Sequence, residues 1–305
     1  PTFFYGPLIP GPYKTPNFYC NVRGVFTNTV PVDAYRGAGR PEATYVTERL
    51  VEAAAEVTGI DSIELRKINF IQPDQFPYNS PGTLTYDSGD YEATLNSALK
   101  SINYNEFKER KKQSQDNGKL RGLGISCYIE ACGVAPSKLT LEAGGRGGYY
   151  ESSTVRINPT GSVTVFTGSH SHGQGHETVF AQIVHEKLGV PFDSIDVVHG
   201  DTGRVPFGVG TVGSRSLAVG GPALMRSIDK IIDKGKKIAA HLLDASYDEI
   251  TFKDGEFSVS NSNKFIAFSD VVGAAYVPGN YPIETLEPGL EETSFYDPPN
   301  LTYPA

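Results

Sequence analysis

The chain has 305 residues, 39% of them hydrophobic, so it can bury a core large enough for two domains of ordinary size. Its formal net charge of -8 argues against nucleic acid or an anionic membrane as a partner, because such binding rests on clustered Lys and Arg. No apolar run approaches the roughly 20 residues of a membrane span. The three cysteines, Cys20, Cys127 and Cys132, show no paired spacing, which indicates a reducing compartment, and we expect the cytoplasm.

The first part of the chain predicts extended segments and then a strong helix. Residues 1–20 are rich in Pro, Gly, Phe and Tyr without periodicity, and residues 21–30 alternate enough to predict a β-strand. A helix follows between Pro41, which suits a first turn, and Gly59, which ends it. Its apolar stripe consists of Val46, Leu50, Val51, Ala54 and Val57.

A glycine-containing loop with two arginines, residues 34–40, lies directly before this helix. Glycines leave backbone N–H groups accessible, and a helix start carries unsatisfied donors, so this junction can hold an anion. The planar fork of Arg36 suits a substrate or cofactor anion, but it can equally pair with a buried carboxylate. The spacing leaves both alternatives open.

The middle of the chain predicts a change of domain. Helices are predicted over residues 62–69, 91–102 and 106–114. The polar stretch from 111 to 119 is the best linker, so we place the boundary after residue 117.

Strands dominate beyond that linker. Residues 121–132 and 148–157 read as strands, and a turn joins the latter to a strand over 162–167, which predicts a hairpin. This hairpin leads into a second polar loop, where Gly173, Gln174 and Gly175 precede a helix. The same combination of glycines and a helix start predicts another anion-binding junction.

The three histidines of this region suggest zinc binding, but their spacing argues against it. A metalloprotease helix places two histidines four residues apart around a glutamate, but Phe180 stands where the partner of His176 would be. His170 and His172 lack cysteine or carboxylate partners at ligand spacing. We interpret all three as loop donors and predict no metal ligand.

A third loop, residues 208–216, follows a short strand at 194–199 and leads into a helix over 222–243. It contains G-x-G-x-x-G, which is also typical of nicotinamide-dependent dehydrogenases. That fold needs a strand ending at the first glycine, whereas this strand ends well before Gly208. We therefore favour a phosphate or pterin loop, to which Ser214 and Arg215 add a hydroxyl and a charge.

The remaining residues continue the mixed pattern. An Asp-Gly turn joins alternating segments at 249–253 and 256–260, which predicts a hairpin. Residues 268–275 predict a helix, and residues 281–305 predict extended chain. The fold class that these elements predict is α+β.

Four runs, residues 34–40, 86–90, 173–178 and 200–216, together resemble the large, molybdenum-binding subunit of the xanthine oxidase family of molybdenum hydroxylases. The resemblance is greatest to the second form of carbon monoxide dehydrogenase-like and aldehyde oxidase-like large subunits, which are far longer than this chain. It implies two incomplete molybdopterin-cofactor-binding domains with mixed sheets and helices packed on them. Residues 1–117 would be the C-terminal part of the first, and residues 118–305 the N-terminal part of the second.

The resemblance also implies roles for the three loops, which should converge on one cleft. Arg36 corresponds to the family's catalytic, substrate-orienting arginine. The cofactor would be molybdopterin cytosine dinucleotide with molybdenum. The residues expected to bind it are Gly37, Ala38, Gly39, Gly173, Gln174, Gly175, His176, Thr211, Gly213, Ser214, Arg215 and Ser216.

The chain differs from the family's pattern at several positions. Carbon monoxide dehydrogenases carry a copper-bound cysteine where this chain has Gly37, and Ala38 and Gly39 replace serine and phenylalanine. The family's catalytic glutamate and its upstream Gly-Gly-x-Phe-Gly cofactor loop have no match here. The segment alone is therefore expected to be inactive, and the substrate of the whole enzyme to be an aldehyde or an N-heterocycle.

The family's iron–sulfur and flavin domains belong to other subunits, since three scattered cysteines cannot build such clusters. The resemblance thus implies an iron–sulfur subunit and a flavin subunit as partners, in a dimer of heterotrimers. Two competing functions stay open: a nicotinamide-dependent dehydrogenase using residues 208–213, and a non-enzymatic β-rich binding module.

Overall fold

The computed structural model describes residues 2–31, 33–142 and 144–303. Two compact units emerge: Pro1–Ala131 with Thr302–Ala305, and Cys132–Leu301. The predicted domain boundary after residue 117 lies earlier in the chain than this division. Within the described ranges, no helix has both the length and the apolar character needed to cross a membrane.

The first unit is mainly helical. Its longer helices follow their capping signals: the chain leaves α2 at Gly59 with a φ of 71°, and Asp61 and Asp90 accept hydrogen bonds from the first turns of α3 and α4. The predicted helices of this region are confirmed. The elements are α1 (Thr2–Leu8), α2 (Arg40–Thr58), α3 (Ser62–Asn69), the antiparallel pair β1 (Tyr78–Asn79) and β2 (Thr85–Tyr86), α4 (Tyr91–Ser101) and α5 (Phe107–Asp116).

A charged cluster lies at the centre of this unit. The guanidinium of Arg66, fully buried, donates from Nε and Nη2 to Oε2 of Glu48 over 3.0 and 2.9 Å. Tyr13 donates its hydroxyl proton to the other oxygen of Glu48, and the backbone N–H of Cys127 donates to Oε2 over 2.8 Å. Burial raises the pKa of the Cys127 thiol to about 11, so this thiol stays protonated at neutral pH.

The predicted apolar stripe of α2 is not its buried face. Leu50 is 64% exposed and Val57 88% exposed, whereas Ala43, Glu48 and Ala55 are buried. The apolar period identified the helix correctly. It could not identify the covered face, because the pairing of Glu48 with Arg66 determines which side turns inward.

Three further expectations for this unit were wrong. Residues 2–8 form helix α1 rather than extended chain. Residues 21–30 form no strand, and their side chains are exposed. Residues 121–131 also form no strand, because their backbone groups bond to side chains instead of a neighbouring strand: Ile125 O accepts from Arg66, and Ala131 O accepts from Arg40.

The second unit is built on a four-stranded sheet in the order β5-β4-β3-β9. The β3–β4 hairpin is antiparallel, β4 and β5 are parallel, and β9 pairs antiparallel with β3 along its whole length. The hairpin was predicted, but β9 was missed within a segment expected to be plain extended chain. The elements are α6 (Ser137–Glu142), β3 (Glu151–Ile157), β4 (Val163–Thr167), α7 (His176–Leu188), β5 (Ile195–Val198), α8 (Gly221–Leu243) and β9 (Leu290–Tyr296).

A smaller antiparallel sheet, with strands in the order β6-β7-β8, completes this unit. Its Asp-Gly hairpin and the helix after it confirm the sequence-based predictions. Helix α8 passes between the two sheets' apolar faces: Ile228 and Ile238 belong to the same core as Val155 of the large sheet and Phe257 of the small one. The elements are β6 (Ile250–Lys253), β7 (Glu256–Val259), β8 (Phe265–Ala267) and α9 (Phe268–Ala274).

Candidate functional site

Two loops of the second unit carry most of the predicted site residues. The histidine loop, residues 168–175, connects the end of β4 to the start of α7. The glycine loop, residues 208–216, leads into one π-helical turn, Ser216–Gly220, and then into α8. π-Helical turns within helices are frequent at functional sites.

The two loops touch backbone to backbone. A Cβ added to Gly168 would lie only 2.4 Å from Cα of Gly208, so no larger residue fits at this crossing. Thr211 adds a second link, because its hydroxyl donates to the carbonyl oxygen of His170 and lies 2.9 Å from the hydroxyl of Ser216. Of the three loops expected to converge, these two come together, and the convergence of the third stays a prediction.

A buried ion pair lies beneath the loops. Glu151, the first residue of β3, and Arg215 of the glycine loop have fully buried side chains, with Nη1 of Arg215 2.9 Å from Oε2 of Glu151. The same guanidinium donates to the carbonyl oxygens of Gly210 and Tyr150 over 2.8 and 3.2 Å, and also to that of Tyr149. Burial raises the pKa of Glu151, and the neighbouring Arg215 charge opposes this effect.

This arrangement bears on the predicted role of Arg215. A guanidinium that is fully buried and occupied by a carboxylate and carbonyl oxygens does not face the open side of the loop. Its contacts favour support of the glycine loop over direct contact with an anion. Ser216 is also buried, whereas Ser214 is exposed.

The start of α7 lies beside the histidine loop and carries backbone donors, of which the N–H of Glu177 bonds to its own carboxylate. Gly175 precedes the helix with a φ of 76°, a left-handed conformation that glycine adopts without strain. The first N–H groups of any helix lack intrahelical partners, so those of His176 and the residues after it point outward from this end. Gln174 is exposed, and its side-chain oxygen accepts from the N–H of His172 within the loop.

The histidines form a cluster that sequence spacing did not reveal. The ring of His170 lies edge-on to His172 and to His199, with centroid distances of 4.7 and 5.1 Å. His199, at the end of β5, bonds through Nε2 to Oε1 of Glu177 over 2.7 Å. His199 was missed, because only the parallel pairing of β4 with β5 brings it to the histidine loop. Glu177, directly after the loop in sequence, was missed because its bond to His199 depends on that pairing. Among the described residues, no group of three or more His, Cys, Asp or Glu could hold a metal ion.

The protonation of these groups follows from their surroundings. Burial lowers the pKa of His176, and together with the neighbouring histidines it outweighs the opposing effect of the Glu177 carboxylate. The Nδ1 atom of His176 is buried without a hydrogen-bond partner among the described residues. The pKa of Glu177 is lowered by its own backbone N–H and then by the hydrogen bond from His199.

These groups fit an extended anionic ligand. A Cβ built on Gly173, Gly175 or Gly210 meets no protein atom within 4 Å, so the backbone there is open to a ligand. The helix start and the exposed amide of Gln174 supply donors next to the histidine loop, which Thr211 links to the glycine loop.

The first unit holds the remaining predicted loop, residues 34–40, in front of α2. Glu42 accepts from the N–H of Gly39 over 2.8 Å. Arg40 is buried, pairs with Glu130 at 3.0 Å and stacks over the ring of Phe4 at 4.3 Å. Arg36, by contrast, is exposed, and no ion pair involves it in the part of the chain that the structure describes. The alternative that Arg36 pairs with a buried carboxylate is therefore not observed, and its catalytic role stays a prediction.

Comparison with known families gives two matches. A profile described as the molybdopterin cofactor-binding domain matches residues 97–305, and a second with the same description matches residues 4–70. Among curated relatives, the carbon monoxide dehydrogenase large chain of Hydrogenophaga pseudoflava is 39% identical over 300 residues, covering 96% of this chain and 37% of the relative. The nicotine 6-hydroxylase large subunit of Paenarthrobacter nicotinovorans is 31% identical, covering 94% and 35%.

Solved structures show the same similarity. Quinoline 2-oxidoreductase from Pseudomonas putida 86 superposes with a TM-score of 0.86 and 33% identity, covering 98% of this chain and 38% of that one. A Cu,Mo-CO dehydrogenase superposes with a TM-score of 0.77 and 40% identity, covering 86% and 33%. The chain thus spans between 33% and 38% of the length of these four proteins.

Proposed function

Because the chain belongs to the molybdopterin-binding domains of the xanthine oxidase family, we propose that it forms part of the large subunit of a molybdenum hydroxylase acting on an aldehyde or an N-heterocycle. The observation that carries this proposal is the contact between the histidine loop and the glycine loop at two helix starts. This contact brings the backbone of both loops and the exposed Ser214 together within the second unit, an arrangement suited to a phosphate-bearing cofactor.

The cofactor of this family is a molybdopterin that carries molybdenum, and we propose the cytosine dinucleotide form. When bound, it supplies the oxidation of the substrate carbon and takes up the electrons. The side chain of Gln174 and the donors at the start of α7 would hold its polar groups. Thr211, Gly213 and Ser214 would hold its phosphates, with Arg215 and Ser216 supporting them from inside the loop.

Arg36 is proposed to orient the substrate, with Gly37, Ala38 and Gly39 of the same loop lying along the cofactor. The exposure of Arg36 leaves all donors of its planar fork available to a substrate oxygen or ring nitrogen. Arg40 is unsuited to that task, because its guanidinium is buried against Glu130 and Phe4. We therefore assign substrate binding to Arg36 and structural support of the loop to Arg40.

Carbon monoxide is the substrate that the sequence disfavours. Gly37 offers no sulfur atom to bind copper, unlike the cysteine of the carbon monoxide dehydrogenases that the chain resembles. Relatives named for nicotine and quinoline oxidation show that proteins similar to this chain act on N-heterocycles, and a more distant relative is an aldehyde oxidase. We therefore propose that the substrate is an aldehyde or an N-heterocycle.

The partners follow from the chemistry. Electrons taken from the substrate must leave the site, and the free cysteines Cys20, Cys127 and Cys132 form no cluster-binding pattern. We propose an iron–sulfur subunit and a flavin subunit as the electron acceptors, in a dimer of heterotrimers in the cytoplasm.

Metal and nucleotide analysis of the enzyme purified with its native subunits tests this function. We expect molybdenum and a released cytosine nucleotide in equal amounts, and no stoichiometric copper. Bound NAD instead would favour a nicotinamide-dependent dehydrogenase, although β5 ends at Val198 and no strand leads directly into Gly208 in the described structure. The absence of both groups would favour a binding module and refute the proposal.

A further inference from the structure

We infer that Glu151 is a positioning residue that fixes the histidine loop and the glycine loop relative to each other, through its buried ion pair with Arg215. The inference rests on the proposed function only for what the two loops hold. It concerns a residue on neither loop and one that the sequence motifs do not include.

The carboxylate of Glu151 reaches both loops at once. Its Oε2 accepts from Nη1 of Arg215 in the glycine loop over 2.9 Å, and from Oγ of Ser169 in the histidine loop over 3.3 Å. Its Oε1 accepts from the N–H of Ser152 over 3.1 Å, which anchors the carboxylate to β3. One side chain thereby ties both loops to a strand in the middle of the sheet.

Arg215 extends this link along the glycine loop. Its guanidinium holds the carbonyl oxygen of Gly210 at 2.8 Å, while its Nη2 reaches the carbonyl oxygens of the residues just before β3. The neighbouring Ser152 adds a second link. Its N–H donates to the carboxylate of Glu151, and its hydroxyl accepts from the N–H of Phe207 over 3.2 Å. The glycine loop is therefore held at both of its ends by the first two residues of β3.

The charge of the pair is what makes the link specific. Both side chains are fully buried, so in the folded protein each is compensated by its partner and not by water. Removing the charge of Glu151 leaves a buried, uncompensated guanidinium, which must move out and take the glycine loop with it. A packing role alone would not displace the two loops selectively.

The test compares Glu151→Gln with Glu291→Gln in the intact enzyme complex. Glu291 also pairs with an arginine of β3, Arg156, at 2.7 Å, but this pair is about half exposed and touches neither loop. Backbone hydrogen exchange is measured over residues 168–175 and 208–216, together with the cytosine nucleotide retained per subunit. Val272→Ala, which truncates a buried residue of α9, controls for general loss of stability.

We expect Glu151→Gln to accelerate exchange in both loops and to weaken cofactor retention by about tenfold to a hundredfold, the scale for losing a group that orients binding residues. Glu291→Gln should leave both measurements unchanged. Val272→Ala should lower the unfolding temperature without a selective change in the loops. Unchanged exchange in either loop of Glu151→Gln, or the same pattern in Val272→Ala, would overturn the inference.

Arg215→Lys provides a second route if Glu151→Gln does not fold. Lysine keeps the charge but cannot hold Glu151 and the carbonyl oxygen of Gly210 together, so exchange should rise more in the glycine loop than in the histidine loop. Equal exchange in the two loops would contradict the inference. If the unaltered enzyme holds no cytosine nucleotide, the proposed function fails, while the exchange measurements still decide the role of Glu151.

Discussion

His199 Nε2 lies 2.7 Å from Glu177 Oε1, so the end of β5 is tied to the first turn of α7. This bond links α7, which follows the histidine loop, to β5, the strand next to β4 in the sheet. It also makes the start of α7 sensitive to acid, because one partner is a carboxylate.

Acid should loosen this junction. The pKa of Glu177 is lowered from 4.5, first by its own backbone N–H and then by His199. Stability from a carboxylate with a lowered pKa is fully present above the ordinary value and is lost as the pH falls through the lowered one. Thermal unfolding between pH 7 and pH 3 should therefore show a smaller acid-induced decrease for Glu177→Gln than for the unaltered chain. Glu186→Gln, an exposed change on the same helix, should retain the full decrease, and equal curves for all three would contradict the assignment.

The charged cluster of the first unit should be its most sensitive point. Glu48→Gln removes the buried carboxylate of Arg66 and leaves Glu52, a partly exposed carboxylate at 2.8 Å, while Tyr13 and Cys127 compete for the new amide. The loss of one partner of a buried pair costs about 3–5 kcal/mol of unfolding free energy when the charge is left uncompensated, so with Glu52 retained we expect a loss near the lower end of this range. Chemical denaturation measures this, with Glu64→Gln as the control: its exposed pair with Lys67 should contribute less than about 1 kcal/mol. A small loss of unfolding free energy in Glu48→Gln would show that the unit rearranges to accommodate the charge of Arg66.

The crossing of the two loops predicts a strong effect of a single methyl group. In Gly168→Ala the new Cβ would meet Oε1 of Glu151 at 2.1 Å and Cα of Gly208 at 2.4 Å, so the loops must separate. Overpacking of this kind costs about 1–3 kcal/mol and should also weaken cofactor retention. Gly273→Ala, on α9 with no atom within 4 Å of the added carbon, should be neutral or stabilising by up to about 1 kcal/mol. Wild-type cofactor content in Gly168→Ala would exclude the crossing from the site.

The two arginines before α2 should respond differently to the same substitution. Arg36→Lys should keep the cofactor and the unfolding temperature while kcat/KM falls by about 10²-fold, the scale for losing one well-placed transition-state donor. Arg40→Lys should lower the unfolding temperature, because lysine cannot hold Glu130 and the carbonyl oxygen of Ala131 together. Steady-state kinetics and metal analysis on the intact enzyme separate these outcomes. Loss of cofactor in Arg36→Lys would instead make it part of the scaffold.

Local signals were sufficient for most helices and for both hairpins. Gly59 and Asp61 mark the end of α2 and the start of α3 through backbone conformation and side-chain capping, which act within a few residues. The Asp-Gly turn between β6 and β7 works in the same way. The position of the glycine-containing loops before helix starts was also predictable from local signals, while anion binding by these loops stays a prediction.

Long-range pairing was out of reach of the sequence patterns. Residues 121–131 alternate like a strand, but their backbone groups bond to Glu48, Arg66 and Arg40, which no local pattern could indicate. Glu151 begins a strand that was correctly predicted, yet its pairing with Arg215 depends on how the glycine loop crosses the sheet. The buried face of α2 could not be identified from its apolar stripe for the same reason, since burial depends on what packs against the helix.

The late position of β9 in the chain has a consequence for synthesis. β3 leaves the ribosome long before β9, which covers its free edge from Glu151 opposite Tyr296 to Ile157 opposite Leu290. Until then β3 presents a row of unpaired N–H and C=O groups, the kind of edge on which chains aggregate. The sheet that supports both loops can close only after residue 296 has emerged, so a message truncated before that point would yield an aggregation-prone product that chaperones must hold.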